Sequence, residues 1–170
     1  MSMLIKDEER ERLFKWWLEL LDNSGRRAQL KRCASPEEAA LIPETFKVKT
    51  ILPKASIEAC ATIAGILSAL KKECLSVSLP LGKQLAVEKN SRPLFSETRF
   101  RQLLSSKTWN ELYTHLRRAV GILDGMVNPI PLTEFILRWD WEAKYAATQA
   151  PGKSLVFELS RDYYLANSNQ

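Results

Sequence analysis

One histidine, three cysteines and the Gly82-Lys83 pair are residues from which this sequence could build a reactive centre. His115 sits between Thr114 and Leu116 in a helical pattern, without the serine or cysteine motif of any hydrolase around it. It reads as a structural or solvent-facing imidazole. Cys33, Cys60 and Cys74 are widely spaced in apolar or helical contexts, whereas a zinc site needs close pairs such as C-x-x-C or H-x-x-x-H. Leu81-Gly82-Lys83-Gln84 lacks the upstream glycine and the following Ser/Thr of a phosphate loop. The carboxylates are not grouped as D-x-D or E-x-x-H, so a metal-dependent nuclease is unsupported. The sequence assigns no catalytic residue, no metal ligand and no cofactor, and the expectation is a protein that is not an enzyme.

The remaining chemistry is cationic. Arg26, Arg27, Lys31 and Arg32 fall within seven residues, and no acid occurs between Asp22 and Glu37. On a helix, 27 and 31 share a face and 26 and 32 flank it. Further on, Arg99, Arg101, Lys107, Arg117 and Arg118 crowd into twenty residues against Glu97 and Glu111. Arg117 and Arg118 lie opposite Leu112, Leu116 and Leu123 on their helix, and Lys83 adds an isolated cation between the clusters. Any one of these belongs as readily to a solvated face. Two clusters together favour phosphate contact, because Lys and Arg bind nucleic-acid backbone without regard to sequence. Nothing in the pattern points to base readout.

Helices must position these groups. Lys6 to Leu21 carries a stripe of Leu13, Phe14, Trp17, Leu18 and Leu21 opposite Glu8, Arg12, Lys15 and Glu19, with acids in its first turn. A short basic helix follows from Ser24, its N-cap, to about Cys33. Ser35-Pro36-Glu37-Glu38 reads as a capping box with proline at the first helical position. The segment Glu44 to Leu52 fits either a helical turn or an extended connection. Ala55 to Leu70 is apolar nearly all round and belongs in the centre of the fold. Val77 to Pro93 carries Pro80, Gly82 and Asn90-Ser91-Arg92-Pro93 and marks a boundary.

Helical patterns resume at Ser96 to about Ser105. A second capping box, Thr108-Trp109-Asn110-Glu111, opens a helix with Trp109, Leu112, Tyr113, Leu116, Val120 and Leu123 on one face. Others start near Pro131 and Ser154. No alternating strand pattern of useful length occurs. The expected class is all-α: two small helical, bundle-like halves, residues 1–90 and 91–170, joined by a Pro/Gly-containing loop. Trp17, Trp109 and Trp139 fall on core faces; Trp16 and Trp141 fall off the main stripe and are candidates for partner contact.

Composition sets the outer limits. With 45% apolar and 26% charged residues, the chain can bury a core. The net charge of +5 suits a polyanionic partner. An odd number of scattered cysteines argues for a reducing cytoplasm, and no apolar run approaches the roughly 20 residues that span a bilayer. No membrane partner is expected.

The order of local motifs resembles the CasB family. Trp17-Leu18-Glu19-Leu20-Leu21-Asp22-Asn23-Ser24-Gly25 is followed by Ala28-Gln29-Leu30-Lys31-Arg32 and then Ser35-Pro36-Glu37-Glu38. In the second half come Leu81-Gly82-Lys83-Gln84-Leu85, Ser96-Glu97-Thr98-Arg99 leading to Gln102-Leu103-Leu104, Leu116-Arg117-Arg118 and Ile136-Leu137-Arg138-Trp139. The likeness covers roughly residues 14 to 140; the stretch 47–72 and the tail after Trp141 depart from it. The family are non-catalytic small subunits of the type I-E CRISPR Cascade surveillance complex. The resemblance implies a helical dimer that meets other Cascade subunits. It also implies contact with the CRISPR RNA and with the target or displaced DNA strand, stabilising the guide–target hybrid. Two rivals remain at this level: a helix-turn-helix regulator using the Ser96–Leu123 pair, and a helical adaptor that binds only protein.

Overall fold

Acidic Asp7, Glu8 and Glu9 open α1 (Asp7–Asp22) where the helix dipole favours them, and the Glu9 carboxylate accepts from the Lys6 backbone N–H at 2.9 Å. The computed structural model describes residues 5–76, 79–145 and 154–168. Val77, the first residue of the expected boundary loop, lies outside them, as does the stretch 146–153 of the tail. Asn23 caps α2 (Ser24–Arg32), its side chain accepting from the Arg26 N–H at 3.1 Å. The sequence reading puts that cap one residue later, at Ser24; both residue types cap equally well, so spacing alone does not choose between them.

Ser35 caps α3 (Pro36–Ala39), and the Glu38 carboxylate returns to the Ala34 N–H at 2.6 Å. The ambiguous segment after Pro43 is helical, α4 (Pro43–Ile51). Proline at its start loses nothing, since a first-turn N–H has no helical partner. Ser56 caps α5 (Ile57–Leu67), every residue of which from Ala59 to Leu67 is buried. As its all-round apolarity requires, α5 lies at the centre, against α2, α3 and α4 and against two later helices, α8 (Trp109–Ile122) and α9 (Pro129–Tyr145).

A 3₁₀ turn (Lys72–Ser76) leads to α6 (Leu81–Leu85), then to a minimal antiparallel hairpin of β1 (Glu88–Lys89) and β2 (Arg92–Pro93). Asn90 and Ser91 turn it with positive φ of 57° and 64°. Two residues per strand are too few for an alternating pattern, so the sequence carries no strand signal there. The remaining helices are α7 (Glu97–Leu104) and α10 (Leu155–Ser168). The described residues are predominantly helical, and the class is all-α.

The helices before and after residue 90 pack on one another. Besides the contacts of α5 with α8 and α9, α6 lies against α10 and α1 against α9, and one cluster of buried side chains runs through all of them. Gly82 makes the α6–α10 approach possible: a Cβ there would stand 2.7 Å from the Leu159 carbonyl oxygen. Trp17 is fully buried, and Trp109 meets Trp139 edge to face at 4.7 Å. Trp16 departs from the expectation of a partner contact. It is 3% exposed, and its indole N–H donates to the Glu44 carboxylate at 2.7 Å. The wide stripe of α1 takes in position 16 because α4 covers that flank, a neighbour that helical spacing alone does not reveal.

Candidate nucleic-acid interface

The ten predicted cations fall into distinct environments. Arg27 is turned inward: its Nε donates to the Ser68 carbonyl at 2.8 Å and its Nη2 to that of Leu70 at 2.9 Å. Trp17 donates to the Leu67 carbonyl beside them. These donors satisfy the free carbonyls beyond the end of α5, where the helix dipole also favours positive charge. Arg27 therefore has a structural task that its place in a basic run does not suggest.

Arg117 does the same for α2 from across the fold. From α8, its Nη1 donates to the Cys33 carbonyl at 3.1 Å and its Nη2 to the Lys31 carbonyl at 2.9 Å, while the Tyr113 hydroxyl also donates to Cys33. The planar guanidinium suits this two-carbonyl arrangement. Consequently the two basic clusters, separated by more than sixty residues in sequence, meet at the end of α2. Both Arg32 and Arg117 act electrostatically on Cys33: burial raises its thiol pKa, Glu38 adds to the rise, and the two arginines oppose it.

At this meeting point α2, α5 and α8 enclose an open cleft of about 290 Å³ whose lining includes Lys31, Lys71, Tyr113, Arg117, Gly121 and Asp124. Gly121 contributes bare backbone, since a Cβ there would meet nothing within 4 Å. Lys71 was not among the predicted cations. Its ammonium is 2.8 Å from Asp124 at the mouth of the cleft. The signal for it is the Lys71-Lys72 pair directly after the apolar α5, inside the stretch where family likeness fails.

The other cations sit apart. Arg118 turns toward α7, its Nη1 3.4 Å from the Gln102 side-chain oxygen, and Arg101 pairs with Glu97 at 3.4 Å on the same helix. Lys83, Arg99 and Lys107 are exposed, as are Lys31 and Arg32, and none of these five makes an ion pair with a described residue. Arg26 is half-buried, bonded to Gln29 at 2.9 Å and 3.9 Å from Glu44. The chemistry available to such a surface is attraction and hydrogen bonding to anionic oxygens. His115, half-buried on α8, has its pKa lowered by burial and by Arg118 against the opposing pull of Glu111. Among the described residues no group of three His, Cys, Asp or Glu could hold a metal ion. Among them, too, no helix is long and apolar enough to cross a membrane.

A family model described as CRISPR-associated protein Cse2 matches residues 26–164, which takes in both basic clusters, the cleft and most of α10. It is the family to which the sequence likeness pointed. No curated protein and no solved structure matches the chain.

Proposed function

Since the chain belongs to the CRISPR-associated protein Cse2 family, and so among the Cascade subunits of CRISPR defence, we propose that it is a non-catalytic subunit that holds nucleic-acid backbone without regard to sequence. Its partners in this reading are the CRISPR RNA, the target or displaced DNA strand, the other Cascade subunits and a second copy of itself, in the cytoplasm. The guide supplies sequence discrimination by base pairing, which leaves protein subunits to hold strands by their phosphates.

The observation that carries this reading is the cleft at the end of α2. Lys31, Lys71 and Arg117 converge there around exposed helix backbone, with Arg32 in the same last turn. Arg99, Arg101, Lys107 and Arg118 extend the positive surface over α7 and α8, and Lys83 adds a charge on α6. Arg27, committed to the end of α5, takes no part.

The test is a double substitution, Lys31→Ala with Arg32→Ala, measured by titration against two unrelated single strands of equal length at several salt concentrations. Each phosphate contact removed should flatten the slope of log affinity against log salt by about 0.7, so by about 1.4 for the pair, equally for both sequences. Wild-type affinity with an unchanged slope would return these residues to an ordinary solvated face and favour the protein-only adaptor.

A further inference from the structure

The run Arg26 to Arg32 does not form one patch. Arg26 and Lys31 are five positions apart, about 140° around the helix axis at 3.6 residues per turn. Lys31 lines the cleft, while Arg26 turns to the other side of α2 and approaches Glu44. Glu44 is only 4% exposed and gathers three helices. Its Oε2 accepts from Trp16 of α1 at 2.7 Å, and its Oε1 lies 3.0 Å from Lys47 Nζ of α4 and 3.9 Å from Arg26 Nε of α2. A buried carboxylate requires such partners, so Glu44 fixes two cations at this corner.

Beside that corner a shallow groove of about 380 Å³ runs between α1 and α4, lined by Arg12, Lys15, Glu19 and Lys47 over Trp16 and Ile51. Arg12 and Lys15 are exposed, one turn apart on the same face of α1, and pair with no described acid. The groove is therefore lined by three cations against one carboxylate, Glu19, and only Lys47 among the three is held by Glu44.

We propose that this α1–α4 groove is a second backbone-binding site, separate from the cleft, that takes the phosphates of a single-stranded nucleic acid. It rests on the nucleic-acid reading above but uses different residues. The apolar residues of the groove, Trp16 and Ile51, are 3% and 8% exposed. They offer no aromatic or aliphatic anchor of the kind that carries protein–protein affinity, whereas long cationic side chains around an open groove are what phosphate contact requires. Burial of Trp16 also removes base stacking, so the groove has no base preference.

The full chain is titrated with a labelled mixed-sequence single strand across several salt concentrations. Three double variants are compared: Arg12→Gln/Lys15→Gln in the groove, Lys31→Gln/Arg32→Gln at the cleft, and Lys89→Gln/Arg92→Gln on the hairpin as a charge-matched control. The groove variant should bind more weakly, with a salt slope flatter by about 1.4, while the control binds as wild type. Unfolding midpoints should not change, since all six side chains are exposed. A groove variant that binds as wild type overturns the proposal even if the cleft variant is impaired. Equal loss in the control overturns it too, by making net charge responsible. A groove variant that loses only a poly-glutamate peptide would make the groove a docking surface for acidic protein instead. If the groove variant is impaired and the cleft variant is not, the groove stands and the assignment of the cleft fails. A wild-type chain that binds no single strand overturns both.

Discussion

Arg117 Nη1 donates to the Cys33 carbonyl at 3.1 Å, binding the middle of α8 to the residue that ends α2. The same guanidinium takes the Lys31 carbonyl, so one side chain fixes where Lys31 and Arg32 emerge. Arg117→Ala should destabilise the fold by about 1–2 kcal/mol, the worth of charge-assisted hydrogen bonds discounted for an exposed side chain. Arg117→Lys restores the charge but not the two-carbonyl fork, and should recover less than half of the loss. Urea denaturation of both variants checks this; full recovery with Lys would mean that charge alone matters.

The Trp16–Glu44 bond should be costly to break from one side. Trp16→Phe leaves a buried carboxylate one donor short, a loss of about 1–3 kcal/mol. Glu44→Leu in the same background removes the carboxylate whose Oε2 has lost its donor and should return part of that stability. A double-mutant cycle measures the coupling, which additive single effects would refute.

High pH should unfold the protein through its thiols. Burial pushes Cys60 and Cys74 up to about 11 from 9.0, in each case with smaller opposing and reinforcing contributions from neighbouring groups. A raised folded-state pKa favours the neutral thiol in the fold. The contribution is complete below pH 9 and is lost as pH climbs from there toward 11, because the unfolded chain ionises first. The slope in that window is about 1.4 kcal/mol per pH unit for each thiol. Urea midpoints compared at roughly pH 8 and pH 10.5 should show the fall, and Cys60→Ala/Cys74→Ala should flatten it.

Trp109→Ala should act on stability rather than on binding. The ring is half-buried, packed edge to face on Trp139 at the start of α8. Its truncation should cost about 3 kcal/mol, the low end for a core tryptophan. Intact thermal unfolding with lost affinity for single strands would mean instead that the ring stacks on a base.

Local spacing is enough to give the helical class and most helix starts. Helical periodicity and caps are local: Ser35, Ser56, Ser96 and Thr108 each accept a backbone N–H three residues along, as short-range geometry dictates. The central place of α5 was equally legible, since a helix without a polar face must be enclosed. The family, too, is legible in the order of motifs. What each arginine does was not legible. Arg26, Arg27 and Arg32 look alike in a basic run, yet Arg26 meets a carboxylate 18 residues away, Arg27 meets carbonyls 41 and 43 residues away, and Arg32 stays exposed. Only the packing of α5 against α2 gives Arg27 its carbonyls, and only α4 folded over α1 gives Trp16 and Arg26 a shared carboxylate. Charge is a property of the residue, but the partner that commits it or leaves it free is supplied by tertiary contacts that no local spacing encodes.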